Sequence, residues 1–174
     1  MKKLLLFAPI AQREIDFYLT FALHAKHLNL NYEVQFVSFF QPGNQQLKDA
    51  GFKVLDLYAY TENEAAFKYA PESLEKEFSI ENLQARTLHE KVTFNHKDTK
   101  PILDKYYRYL NAIDLILAEA AANYSSEDVI VFQELGGFVA PLSLYYNCLK
   151  RNIEHIFFEP SFFRSHMHFI KNSL

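Results

Sequence analysis

The chain has 174 residues, of which 49% are hydrophobic and 22% charged, with a formal charge of −3. That is room for one domain with a buried core, and too apolar for a disordered chain. The mildly acidic balance offers no basic stripe for nucleic acid, and the single cysteine, Cys148, builds neither a disulfide framework nor a structural zinc site.

Residues 3–8 form a continuous apolar run closed by Pro9, as expected of a strand buried on both faces. The lysines ahead of this run resemble the start of a signal peptide. Arg13, Glu14 and Asp16 follow at once, however, and no small-residue cleavage site stands at the right distance. Apolar residues at Ile15, Tyr18, Leu19, Ala22, Leu23 and Ala25 predict a helix over 13–28, stopped by the asparagines at 29 and 31. A second strand is predicted over 33–40, closed by Gln41, Pro42 and Gly43. A short helix over 45–50 with Gly51 behind it follows, then a third strand over 52–58.

The middle of the chain, 61–100, is polar and predicts helical pieces around 72–77 and 80–90, with no strand. A long helix is predicted over 102–124, where Leu103, Tyr106, Tyr107, Leu110, Ile113, Leu117 and Ala121 recur at helical spacing. Then come a short apolar strand over 129–132, a helix over 138–150, a fifth strand over 155–158 and a final helix near 164–171. This rhythm predicts one α/β domain spanning 1–174. It is Rossmann-like, with a doubly wound, mostly parallel sheet and a helical insert over about 61–124. No apolar run approaches the ~20 residues of a bilayer span, so membrane contact is expected to be peripheral at most.

In such a sheet ligands bind beyond the carboxyl ends of the strands. The expected loops on that edge are 9–14, 41–44, 59–63, 133–137 and 159–161, and three of them bring a carboxylate: Glu14, Glu134 and Glu159. A carboxyl group in a half-dry crevice can serve as acid, base or nucleophile; the plainer alternative is a helix cap or a solvated side chain. Beside Glu134, Gly136 and Gly137 let a backbone approach a ligand, and the helix from 138 aims N–H groups at the same crevice. Glu159 stands among Phe157, Phe158, Pro160, Phe162 and Phe163, an apolar wrapping that favours its neutral form. Arg13, Arg86, His89 and Arg164 are candidate partners for an anionic ligand. The pairs His24/His27 and His166/His168 lack further ligands, so no metal is expected, and no cofactor either. There is no G-x-G-x-x-G, no P-loop and no G-x-S-x-G elbow, and four glycines are too few for a phosphate cradle of backbone alone.

Several features come in a telling order. The first strand runs into Ala8, Pro9, Ile10, Ala11, Gln12, Arg13 and Glu14; the insert holds Arg86 and His89; the loop of Phe132 to Gly137 follows, and then Phe157, Phe158, Glu159, Pro160 and Ser161. Together they resemble the N-terminal half of a two-domain GT-B glycosyltransferase. More narrowly, the chain resembles the retaining β-Kdo transferases of bacterial capsule and O-antigen (lipopolysaccharide) synthesis. The resemblance implies transfer of Kdo from CMP-Kdo, or of a sugar from another nucleotide-sugar donor, to a glycan or glycolipid acceptor. Of the residues here it implies only Glu159 and Glu134, as cleft carboxylates; Arg13, Glu14, Arg86, His89, Gly136, Gly137, Ser161 and Arg164 are candidates around the substrate on chemical grounds. A cytoplasmic location, or a peripheral one at the inner face of the cytoplasmic membrane, goes with it. The donor nucleotide is expected mainly on a C-terminal domain that this chain does not contain, and the isolated chain is expected to be inactive. A competing expectation is a non-catalytic glycan- or protein-binding module. It would use the aromatic surplus of Phe39, Phe40, Tyr58, Tyr60, Tyr106, Tyr107, Tyr109, Tyr145 and Tyr146.

Overall fold

A computed structural model describes residues 2–134, 136–160 and 167–171. Its elements run β1 (Lys3–Phe7), α1 (Gln12–His27), β2 (Tyr32–Ser38), α2 (Asn44–Asp49), β3 (Lys53–Asp56) and α3 (Leu57–Thr61). The helices α4 (Leu74–Glu77), α5 (Leu83–Arg86), α6 (Leu88–Thr93) and α7 (Lys100–Ala120) follow. β4 (Val129–Glu134), α8 (Val139–Arg151), β5 (Glu154–Pro160) and β6 (Met167–Lys171) complete the fold. The six strands form one sheet in the order β3-β2-β1-β4-β5-β6, parallel throughout except for β6. This is an α/β fold consistent with a Rossmann-like domain. The strand order reverses between β1 and β4.

Strand alternation divides the core in two. Leu5, Phe7, Phe36 and Phe158 turn to one face, where Ile15, Tyr18 and Ala22 of α1 and Leu47 of α2 cover them. Leu4, Leu6, Val37, Val131 and Phe157 turn to the other, beneath α7 and α8. Each fully buried apolar side chain of this kind contributes about 1.5–3 kcal/mol. Between α7 and α8 the packing is reinforced by polar bonds: Asn147 Nδ2 donates to Leu110 O at 3.0 Å, and Arg151 Nη2 to Asp114 Oδ1 at 2.5 Å. Cys148 of α8 is fully buried, and its thiol pKa is raised by that burial.

The predicted elements are largely present, with three corrections. The predicted final helix near 164–171 is, over Met167–Lys171, the antiparallel edge strand β6. The open edge of β5 supplies hydrogen-bond partners that a lone helical turn cannot match. Ser161 and Arg164 lie outside the described residues. Second, Gln133, Glu134, Glu159 and Pro160 belong to strands rather than to loops, so β4 and β5 each run two residues further than expected. Third, β3 stops at Asp56. Its side chain accepts from Tyr58 N at 3.1 Å and caps α3, turning Leu57 and Tyr58 out of the strand.

Candidate functional site

The switch point opens as the chain leaves β1. Ala8 N donates to Phe132 O of β4 at 2.9 Å, while Pro9 O accepts from Phe39 N, just past β2, at 3.2 Å. One backbone thus bonds left and right in succession and leaves a crevice over the start of α1. That start is unusual. Its N-cap is Ala11, which has no side chain to satisfy the free N–H groups. Glu14, three residues on, reaches back instead, and its Oε2 accepts from Ile10 N at 2.9 Å.

Only one oxygen of Glu14 is used this way. The other, Oε1, is buried, and the carboxyl group of Glu134 at the end of β4 is close enough to interact with Glu14. Burial, then the shared hydrogen bond with Glu134, pushes the Glu14 pKa up to about 8, although the Ile10 N–H acts against this. Of the two carboxyl groups, Glu14 is therefore the one that keeps its proton to the higher pH. Burial opposes ionisation of Glu134 too, but the bonds from Glu14 and Arg13 outweigh it and hold Glu134 below the usual carboxylate range. Arg13 Nη2 donates to Glu134 Oε1 at 2.6 Å from a side chain that is 73% exposed. The result is two neighbouring carboxyl groups that hold their protons unequally, one of them clamped by a guanidinium that reaches in from solvent. Arg13, Glu14, Phe17, Glu134, Phe158 and Met167 line a cleft of about 200 Å³ here.

Glu159 stands at the same edge of the sheet on the other face. Its parity in β5 is that of Phe157, whereas Glu134 shares parity with Phe132, which packs on Phe7 at 5.2 Å on the α1 side. Glu159 lines a cavity of about 500 Å³ with Ala85, Arg86, His89, Gly136, Gly137 and Leu142. The expected residues therefore meet in two groups: Arg13, Glu14 and Glu134 on the α1 face, and Arg86, His89, Gly136, Gly137 and Glu159 on the α8 face. The groups are close enough for Glu159 to strengthen the proton hold of Arg13 electrostatically. Gly137 has a concrete steric reason to be glycine, since a Cβ there would sit 3.0 Å from Cγ of the His89 ring.

Two residues escaped the sequence reading as parts of the site. The first is Glu90. The start of α8 was expected to offer its N–H groups to a ligand, but Val139 N donates to the buried Glu90 Oε2 at 3.0 Å. Lys105 Nζ donates to Glu90 Oε1 at 2.8 Å. The protein's own carboxylate occupies that position and ties α6 to α8. The second is Tyr18, one turn beyond Glu14. It is buried, stacks on Phe7 at 4.7 Å, and its hydroxyl has no hydrogen-bond partner among the described residues. Burial, then the nearby Glu14, Glu134 and Glu159, raises its pKa, so it stays a neutral phenol. An i, i+4 spacing from a strand-end glutamate was the available signal.

Among the described residues, no group of three His, Cys, Asp or Glu side chains could hold a metal ion. Of the aromatic residues that might have made an exposed platform, Phe39, Tyr106, Tyr109, Tyr145 and Tyr146 are buried in the core. The chain matches no protein-family model, no curated protein and no solved structure.

Proposed function

We propose that this chain is the acceptor-side, GT-B-type domain of a bacterial surface-polysaccharide glycosyltransferase, transferring Kdo from CMP-Kdo to a glycan or glycolipid acceptor in the cytoplasm. The observation that carries the reading is the meeting of Glu14 and Glu134 in one cleft under Arg13, at the switch point of the sheet. Glycosyl transfer needs a group that takes the proton of the acceptor hydroxyl while the bond from the anomeric carbon to the CMP oxygen breaks. Glu134 is ionised and at a strand end, and it can take that proton once the substrate draws Arg13 away from it and its basicity rises. Glu14 supplies the neighbouring protonated group. On the other face, the cavity lined by Glu159 has the size of a sugar site, and Arg86 and His89 bring donors suited to the carboxylate of an acidic sugar. A non-catalytic binding module is the second reading. It is favoured by the exposed Phe17 and Phe21 on α1, although most of the aromatics that first suggested it lie in the core.

The test is transfer from CMP-Kdo to a glycolipid acceptor by the protein expressed from its own full reading frame, read as a product heavier by one Kdo. Glu134→Gln and Glu159→Gln are each expected to lower kcat by about 10²-fold or more with the fold retained. Arg13→Ala is expected to raise KM more than it lowers kcat. Wild-type rates in both glutamine variants, or no product from the unmodified protein, would overturn the reading.

A further inference from the structure

The three most exposed large apolar side chains of the helical insert lie within seven residues. Leu88 is 59% exposed, Val92 70% and Phe94 58%. Leu88 and Val92 are four apart on α6 and share a face. The Phe94 ring lies 5.6 Å from that of Phe138, which in turn meets the His89 ring at 4.7 Å. The patch therefore adjoins the cavity lined by His89 and Glu159. Its charge has the opposite sign to that of the chain. Residues 86–100 bring Arg86, Lys91, Lys97 and Lys100. Of the two acids in the same stretch, Glu90 is buried against Lys105. The other, Asp98, accepts from the backbone N–H of Lys100 at 3.0 Å. The exposed His89 and His96 add further imidazoles. On a protein of formal charge −3, this stretch sets more cations than exposed acids beside the apolar patch.

Exposed apolar side chains interspersed with cations are the chemistry of a shallow seat on an anionic bilayer, where the apolar groups enter the headgroup boundary and the lysines meet lipid phosphates. No helix among the described residues is long and apolar enough to cross a membrane, so contact of this kind would be made at the surface. We propose that α6 and the loop to Lys100 dock this protein on an anionic lipid surface, with the mouth of the Glu159 cavity beside the headgroups. The proposal goes beyond the glycosyltransferase reading and needs neither the donor nor the carboxylates.

Co-sedimentation of the full chain with vesicles tests it, using phosphatidylcholine alone against phosphatidylcholine with about a third phosphatidylglycerol. Binding is expected on the anionic vesicles, at least tenfold weaker on the neutral ones, and weakened by salt. A Leu88→Ser/Val92→Ser/Phe94→Ser variant should lose at least tenfold in binding, and Lys97→Glu/Lys100→Glu a similar factor. All five positions are exposed, and an unchanged circular dichroism melt shows that the fold survives. No binding to either vesicle, or binding that the triple variant leaves intact, would overturn the proposal. So would a dimer in solution that the triple variant dissociates, because the patch would then belong to a second copy. Kdo transfer is measured separately, so either result leaves the other proposal standing or falling on its own assay.

Discussion

A carboxyl group that keeps its proton in the fold and sheds it in the unfolded chain weakens the fold as pH rises. Glu14, with a pKa near 8 against an ordinary value of 4.5, is in that position. Between about pH 5 and pH 8 the unfolded chain binds fewer protons than the folded one, so stability declines through this window and levels off above it. The steepest slope is about 1.4 kcal/mol per pH unit. Glu134 runs the other way. Its depressed pKa adds stability that is present above the ordinary carboxylate value and lost only in acid. Urea unfolding of Glu14→Gln at pH 5, 6.5 and 8 should therefore give a flatter profile than the wild type, with the variant gaining relative stability towards pH 8. Parallel profiles would show that Glu14 is not the proton holder. Arg13, Glu14 and Glu134 were legible as candidates because the first two follow the loop after β1, at the start of α1, and the third ends β4. Their separation from Glu159 was not. The sequence reading stopped the strands at Phe132 and Phe158. Once β4 and β5 are two residues longer, the period-2 alternation places the two glutamates on opposite faces.

Among the elements, the helical insert depends on groups that no local pattern reveals. Glu90 is bonded to Lys105 and to Val139, 15 and 49 residues further along, so nothing in its own window marks it as buried. Asn111 is similar. From the middle of α7 its side chain accepts from Lys68 N at 3.0 Å and Tyr69 N at 2.9 Å and holds down a segment with no regular structure. Glu90→Ala removes a buried acceptor and leaves both the Val139 N–H and the Lys105 ammonium without it. A loss of about 2–4 kcal/mol is expected in denaturant unfolding, and Glu90→Gln should lose less because its carbonyl still accepts one bond. Equal losses in the two variants would mean that volume rather than hydrogen bonding holds α6 in place. The main helices were legible from their apolar period, but β6 was not. A strand of five residues at the edge of a sheet takes its conformation from the neighbour it pairs with, here β5, more than from its own composition.

At the scale of the whole molecule, the mostly parallel, doubly wound sheet followed from the alternation of buried runs and crossover helices, while the strand order and the place of the switch point came only with the pairing of the strands. The long connection between β3 and β4 did not. Its packing onto α7 and α8 is written in contacts distant in sequence, such as Lys150 Nζ bonding Glu77 at 2.9 Å. One consequence of that packing is a clock built into the protein. The chain has a single sulfhydryl, Cys148, with no solvent exposure. A disulfide reagent added to the native protein can react only in molecules in which the core around α8 has opened, so the rate of colour release counts openings. That rate should fall below that of the unfolded chain by about 10³-fold or more, and the factor should track the unfolding free energy as urea is raised. A thiol that reacts within seconds in buffer would show that α8 leaves its place without the rest of the fold, and that the seam beneath it is the first to open.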